Sequence, residues 1–134
     1  MATTIQPSNT LVFTRPGRGA IAQLREQLVE RGSRFAILNG AVKDFVGLRY
    51  DASGHGADGP EFLIDVDTIV IDEALRLNPE IRPLVQELLL ERSLHGHTLP
   101  HLKNVVLVYS FIDKREAIEP FDMGTTYPTA TLDI

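Results

Sequence analysis

The chain has 134 residues, of which 43% are hydrophobic and 23% charged, and it contains no cysteine. This length and composition indicate one soluble globular domain and exclude an intrinsically disordered chain. The lack of cysteine excludes a disulfide scaffold and a thiolate metal site, and it is typical of a reducing compartment. The polar start lacks the layout of a signal peptide, and no apolar run approaches the roughly 20 residues that span a bilayer. We therefore predict a cytoplasmic protein.

The net charge of −5 is divided unevenly along the chain. Residues 1–50 carry seven Lys/Arg and three Asp/Glu, a net charge of +4, and the remainder carries −9. Such a split indicates a dipolar surface on which a polyanionic partner would meet the N-terminal half. The alternative, which stays open, is that solvated helix faces carry these charges without a partner.

The first part of the chain predicts a strand, a helix and a second strand. Residues 10–13 (TLVF) form a short apolar strand that leads into the turn-rich sequence TRPGRG. From Ala20, apolar residues at helical spacing predict a helix that stops at Gly32. Residues 34–38 (RFAIL) predict the next strand. The residues predicted on the packed face of the helix are Ile21, Leu24, Leu28 and Val29.

The middle of the chain predicts a long loop and two more strands around a second helix. Residues 39–60 contain five glycines and indicate mostly loop. Residues 68–71 predict the third strand, Asn78 is the predicted N-cap of the next helix, and residues 104–109 (NVVLVY) predict the fourth strand. Aliphatic strands separated by helices favour a three-layer α/β fold with a parallel sheet covered on both faces.

The order of motifs resembles the AAA+ ATPases. TLVFTRPGRGAIAQL resembles the strand, phosphate loop and helix of that family. Residues 44–47 (DFVG) and residues 59–100 resemble the MoxR-like branch, whose Walker B strand ends on an Asp-Glu pair, here Asp72 and Glu73, before a helix and a Gly-x-x-Leu-Pro hairpin. The resemblance covers residues 10–122 and implies a P-loop NTPase-like domain. It leaves residues 1–9 as a flexible N-terminus and residues 123–134 as an extended C-terminal tail.

The departures from the family indicate a degenerate core. At the positions that the resemblance gives to the first glycine, the lysine and the Ser/Thr of the phosphate loop stand Thr14, Ala20 and Ile21, which provide neither positive charge nor a magnesium ligand. Phe111 stands where the family has an Asn, and we find no counterpart of the helical lid or of an arginine finger. Phosphoryl transfer depends on positioned charge. We therefore predict a pseudo-ATPase without cofactor, in which Asp72 and Glu73 are a relic.

Two groups of residues are candidates for binding nucleic acid. Lys43, Phe45, Arg49 and Tyr50 lie in the segment that, in the resembling family, lines a pore for polymer substrates. A combination of cationic and aromatic side chains binds single-stranded nucleic acid, because the cations follow the backbone and the aromatic rings stack on the bases. For Phe45 a role as a core anchor is the alternative. Arg15 and Arg18 are the second group, in a sequence that forms either an anion-binding nest or a simple tight turn.

The histidines of HGHTLPH, which are His95, His97 and His101, have no carboxylate at ligand spacing, so we predict surface histidines and no metal site.

The predicted function is a non-catalytic nucleic-acid-binding accessory protein that prefers single-stranded DNA, with a bacteriophage cofactor of transcription or replication as one setting. The alternatives are an adaptor or inhibitor of an ATPase, polymerase or other machine, and a residual ATPase. AAA+ cores assemble side by side, so the resemblance also implies a homo-oligomer.

Overall fold

The computed structural model describes residues 8–41, 66–94, 96–110 and 128–134. Neither helix in these residues is long and apolar enough to cross a lipid bilayer. In chain order the elements are β1 (Ser8–Thr14), α1 (Ala20–Glu30), β2 (Phe35–Asn39), β3 (Thr68–Asp72), a 3₁₀ turn (Ala74–Arg76), α2 (Arg82–Glu91), β4 (Ser93–Leu94), β5 (His97–Thr98), β6 (Asn104–Ser110) and β7 (Thr129–Asp133).

Five strands form one parallel sheet in the order β2-β3-β6-β1-β7, and β4 and β5 form a separate antiparallel hairpin. The central strands of the five-stranded sheet are aliphatic because both faces of this sheet are covered. Val12 of β1 packs in one core cluster with Leu24 of α1. Its neighbour Leu11 belongs to the cluster on the opposite face, which contains Val85 of α2. The predicted α/β fold, a parallel sheet between two helical layers, is confirmed.

Helix α1 has a narrower packed face than the sequence predicts. Leu24 and Leu28 are buried, whereas Val29 is 64% exposed. Five residues of helix turn Val29 about 140° away from Leu24 around the axis, so its predicted place on the packed face is wrong. The helix stops before Gly32, whose φ of 68° lies in the left-handed region. The glycine stop signal is thereby confirmed.

The second helix begins later than its predicted cap. The side-chain oxygen Oδ1 of Asn78 accepts a hydrogen bond from the N–H of Glu80 at 2.9 Å. Asn78 therefore caps a separate turn, and α2 itself starts at Arg82 with Pro83 in its first turn. A proline is tolerated there because the N–H groups of a first turn have no partner within the helix. The helix is confirmed, and the predicted position of its cap is wrong.

Helix α2 ends on a buried arginine. Arg92 is 5% exposed, and its φ of 53° lies in the left-handed region. Its guanidinium donates to Asn9 Oδ1 at 2.8 Å, to the Leu88 carbonyl at 3.1 Å and to the Ser8 carbonyl at 2.5 Å. A buried charge is costly unless hydrogen bonds compensate it. These bonds therefore hold the end of α2 against the start of β1.

The hairpin β4–β5 is attached to α2 by one carboxylate. Glu87 Oε2 accepts hydrogen bonds from Ser93 Oγ at 2.6 Å and from the N–H of Gly96 at 2.8 Å. Gly96 lies in the turn with a φ of 80°, which glycine adopts without strain. The hairpin that the family resemblance implies is present at this place.

Strand β7 shows that the domain boundaries predicted from the sequence are wrong at both ends. Strand β7 pairs in parallel with β1, so the prediction that residues 123–134 form a tail outside the core is wrong for residues 129–133. Strand β1 also begins at Ser8, inside the N-terminus predicted as flexible. The sequence of β7, TATLD, is exposed at all five positions. It therefore lacks the aliphatic run by which the other strands are recognised.

Asp67 fastens the amino-terminal ends of three strands. Its carboxylate accepts hydrogen bonds from Ser33 Oγ, from Thr68 Oγ1 at 2.7 Å and from the N–H of Arg34 at 3.0 Å. Its carbonyl oxygen accepts bonds from two N–H groups at the start of β6, at 2.8 and 3.0 Å. Burial raises the pKa of Asp67, but the three hydrogen bonds and the charge of Arg34 together lower it more, so the net pKa lies below its ordinary value of 3.8.

Because the pKa of Asp67 is lowered in the folded protein, its ionised carboxylate stabilises the fold, and acid removes this contribution. Its contribution is complete above the pKa of the unfolded chain, about 3.9, and is lost as the pH falls through the lower pKa of the folded state. We expect Asp67→Asn to lower the free energy of unfolding at neutral pH. The difference from the wild type should shrink as the pH falls below about 4.

Urea titrations at a series of pH values measure this difference. Ser33→Ala removes one of the three bonds to the carboxylate, so it should show a smaller pH-dependent difference in the same direction. A difference between wild type and Asp67→Asn that stays constant from neutral to acid pH would contradict the assignment.

Candidate functional site

The carboxyl ends of β1, β3 and β6 meet beside a small cavity. Strand β1 leads through α1 to β2 at one edge of the sheet, whereas β6 leads to β7 on the other side of β1. Ligands of open α/β sheets bind at the carboxyl ends of adjacent strands whose connections lead in opposite directions along the sheet. The cavity has a volume of about 190 Å³ and is lined by the loop between β1 and α1, the first turn of α1, Asp72, Glu73 and Ser110. We take it as the candidate functional site.

Two glycines shape the loop between β1 and α1. Gly17 and Gly19 have φ angles of 87° and 68°, and no atom of the described residues beyond their chain neighbours lies within 4 Å of the place that a Cβ atom would take at either. Glycine is therefore favoured at both positions by the left-handed backbone conformation, and not by a lack of space for a side chain. The N–H of Arg18 donates to the Arg15 carbonyl at 3.3 Å, and the Arg18 carbonyl accepts from Gln23 Nε2 at 3.0 Å. The loop is thus a tight turn fastened to α1.

The N-terminus of α1 opens into the cavity without a capping side chain. Gly19 occupies the N-cap position, no side chain caps it, and the first turn contains no acidic residue. The N–H groups of a first turn have no partner inside the helix and carry the positive end of its dipole. Such amides favour an anionic ligand, for example a phosphate group.

Two apolar side chains occupy the positions that the AAA+ resemblance gives to a lysine and a hydroxyl residue. Ala20 is 6% exposed, and Ile21 packs against the core cluster that contains Val12 and Leu24. The positions therefore serve the packing of α1 on the sheet. The loop presents backbone N–H groups to a phosphate, but at these positions it presents no cation and no magnesium ligand.

Arg15 and Arg18 bring positive charge to the loop. Both residues are exposed, and within the described residues neither guanidinium has an ion pair or a hydrogen bond. A guanidinium binds phosphate oxygens in a planar, bidentate geometry. The two side chains therefore suit a polyanion that lies across the mouth of the cavity.

Asp72 and Glu73 lie on the other side of the cavity, and both are held by their own chain. Asp72 Oδ1 accepts a hydrogen bond from the N–H of Glu73 at 2.8 Å. Glu73 has φ 57° and ψ 39°, a left-handed conformation that costs a residue other than glycine about 1–3 kcal/mol. Its Oε2 atom lies 3.3 Å from Arg76 in the 3₁₀ turn. The pair keeps the position at the end of β3 that the Walker B resemblance implies.

Gly40, predicted only as a loop glycine, fixes the end of β2 beside Asp72. Its N–H donates to the Asp72 carbonyl at 2.8 Å, and its carbonyl accepts from the N–H of Asn78 at 2.7 Å. A Cβ atom here would lie 2.6 Å from Leu77 Cδ1 and 3.0 Å from the Asp72 carbonyl oxygen. Only a residue without a side chain allows this approach. A single glycine after a strand is too common a signal to reveal it from the sequence.

Several predicted site residues lie outside the described residues, so their contacts stay predictions. These are Lys43, Phe45, Arg49, Tyr50, His95 and Phe111. His101 is described and exposed. The described part of the chain contains no group of three or more His, Asp or Glu side chains placed to hold a metal ion.

Solved structures of RuvB from Thermotoga maritima share this fold. Two mutant forms of that protein superpose with TM-scores of 0.58 and 0.56, at 15% and 17% sequence identity. Each match covers 95% of this chain and 38% of the RuvB chain. At these identities the likeness shows the fold alone. No protein-family model and no curated protein sequence matches this chain. The chain therefore shares its α/β fold with RuvB at low sequence identity.

Adding one methyl group at Gly40 tests the close approach beside the site. We expect Gly40→Ala to lower the free energy of unfolding by about 1–3 kcal/mol, as overpacking does in other cores, measured by urea denaturation. Gly40→Ala combined with Leu77→Ala removes the contact with the Leu77 side chain and should cost less than the sum of the two single changes. A Gly40→Ala variant as stable as the wild type would show that the approach is looser.

Proposed function

We propose that this protein is a non-catalytic nucleic-acid-binding accessory protein, built on an AAA+-like core whose phosphate loop has degenerated. The observation that carries the proposal is the loop between β1 and α1. It combines an uncapped helix N-terminus with the exposed guanidinium groups of Arg15 and Arg18. The same loop lacks the lysine and hydroxyl side chains with which a nucleotide hydrolase holds a magnesium-bound triphosphate. It therefore suits phosphate binding without hydrolysis.

A polyanion fits this loop better than a single nucleotide. Arg15 and Arg18 lie on the exposed side of the loop, and residues 1–50 carry a net charge of +4. Each phosphate contact with a polyanion releases bound counterions, which favours binding to a charged strand. Counterion release favours binding of a charged strand by Arg15 and Arg18 on an open surface, and it does not require a pocket that encloses the ligand.

The preference for single-stranded DNA is the finer part of the proposal and rests on the sequence. Lys43, Phe45, Arg49 and Tyr50 combine cations for the backbone with rings for stacking. The MoxR-like subtype and a homo-oligomer rest on the motif resemblance. A bacteriophage role in transcription or replication in the host cytoplasm is part of the proposal, with no motif of its own. These parts are separable from phosphate binding at the loop.

A residual ATPase is the second candidate, and the position of Asp72 and Glu73 favours it. The two carboxylates line the same cavity as the loop, as a metal-bound water and a nucleotide would require. Against it stand the apolar side chains of Ala20 and Ile21 and the ion pair between Glu73 and Arg76.

Nucleotide hydrolysis separates the two candidates. Because Ala20 and Ile21 provide no charge for the γ-phosphate and no ligand for magnesium, we expect phosphate release from Mg-ATP at the buffer background. Glu73→Gln should leave that rate unchanged. Turnover above background that disappears in Glu73→Gln would establish the ATPase and remove the non-catalytic proposal.

Salt dependence tests the loop as a phosphate-binding surface. We expect fluorescence anisotropy to show binding of a short single-stranded DNA, weakened by Arg15→Ala and by Arg18→Ala. Each change should reduce the slope of log affinity against log salt by about 0.7, because one phosphate contact is lost. Arg31→Ala is the matched control. This exposed arginine lies at the opposite end of α1, roughly 16 Å away for an 11-residue helix, and should change neither affinity nor slope.

Duplex DNA and RNA of the same length test the strand preference, and we expect both to bind more weakly than single-stranded DNA. If no nucleic acid binds at low salt, the adaptor or inhibitor function takes first place. If Arg31→Ala acts like the loop variants, the loop is not the binding surface.

A further inference from the structure

Strand β7 is an edge of the described sheet that lacks the usual protection against pairing. All five residues are exposed, although edge strands are commonly covered or carry lysine, proline or a bulge. Its register with β1 is continuous from Thr129 to Asp133, and its sequence, TATLD, has a single charge at the end. Leu132 is 44% exposed and is one of two exposed large hydrophobic side chains among the described residues. The strand is therefore suited to accept another strand.

The hydrogen bonds to β1 determine which backbone groups of β7 point outward. The carbonyl of Pro128 accepts a bond from β1 at 2.8 Å, and the N–H of Ile134 donates one to β1 at 3.0 Å. Alternate residues of a strand direct their backbone groups to the same neighbour. The even-numbered residues therefore face β1, and the N–H and carbonyl groups of Thr131 and Asp133 point away from it.

We propose that β7 pairs in antiparallel orientation with β7 of a second copy of this chain, about a twofold axis at Leu132. In this register Thr131 faces Asp133 of the partner subunit in a hydrogen-bonded pair. The symmetry repeats that pair, so the contact has four backbone hydrogen bonds. Leu132 faces Leu132 of the partner subunit in the intervening non-hydrogen-bonded pair, where side chains lie closest. Ala130 faces Ile134 of the partner subunit on the same side of the sheet.

Charge and apolar area select this register over its neighbours. An axis at Asp133 would place two carboxylates opposite each other, which is destabilising. An axis at Thr131 would place Leu132 opposite Ala130 of the partner subunit, so the two exposed leucine side chains would not face each other. The axis at Leu132 puts the carboxylate opposite a hydroxyl and places the exposed Leu132 side chains of the two subunits directly opposite each other. Four hydrogen bonds are fewer than the roughly 10 of a standard interface, so the dimer is weak and depends on concentration.

A cysteine at the axis tests the contact directly. The chain contains no cysteine, so one introduced thiol reports only on its own position. Opposite Cα atoms of a non-hydrogen-bonded pair lie about 4.5 Å apart, within the range of a disulfide. Leu132→Cys should therefore form a covalent dimer under mild oxidation roughly tenfold faster than the two controls. The controls are Val29→Cys, on the exposed side of α1, and Thr131→Cys, next to the axis but opposite a different residue.

Sedimentation velocity tests the same contact without a new covalent bond. Thr131→Pro removes an outward N–H and no bond to β1, so it should abolish dimer formation while circular dichroism stays native. Thr131→Val retains that N–H and should dimerise like the wild type. Cross-linking of Val29→Cys as fast as that of Leu132→Cys would overturn the proposal, as would a Thr131→Pro variant that dimerises normally. Faster cross-linking of Thr131→Cys than of Leu132→Cys would overturn the register.

Discussion

The tight connection from β1 to α1 determines what the cavity can bind. Because Gly17 and Gly19 adopt left-handed backbone angles, the chain turns at the carboxyl end of β1 and starts the helix directly beside it. The amides of the first turn then open into the cavity, and their affinity for an anion depends on the backbone alone. The side chains of the first turn serve the packing of the helix, since Ala20 is buried and the partly buried Ile21 packs against the core cluster that contains Val12. In the function proposed above, phosphate binding therefore does not depend on nucleotide hydrolysis.

Three further contacts hold the two ends of the sheet together. Gly40 joins the end of β2 to the carbonyl of Asp72 next to the cavity. At the opposite end of the sheet, Asp67 joins the starts of β3 and β6 to the segment before β2. Arg92 fastens α2 to the start of β1. Asp67 and Arg92 each satisfy a charged side chain with several hydrogen bonds, and Gly40 uses both of its backbone polar groups.

Sequence patterns sufficed for elements whose signal is local. The aliphatic runs of β1, β3 and β6 indicate strands buried on both faces, and the loop and the Asp72–Glu73 pair are continuous motifs. Local sequence patterns do not predict strand β7, because its stability comes from pairing with β1, while its own residues are mostly polar and all exposed. They do not predict the contact of Arg92, because its partner Asn9 is 83 residues away. They do not predict the close approach at Gly40, because the atoms that crowd it belong to another strand and to the segment after it.

The central claim is that the start of α1 binds backbone phosphate in a protein that does not hydrolyse nucleotide. Titration of ¹⁵N-labelled protein with a short single-stranded DNA, followed by amide chemical shifts, measures this most directly. We expect the largest shifts at Gly17, Gly19 and the first turn of α1, with much smaller shifts at the amides of α2. Saturable binding that leaves the amides of the loop and the first turn unchanged would contradict the claim.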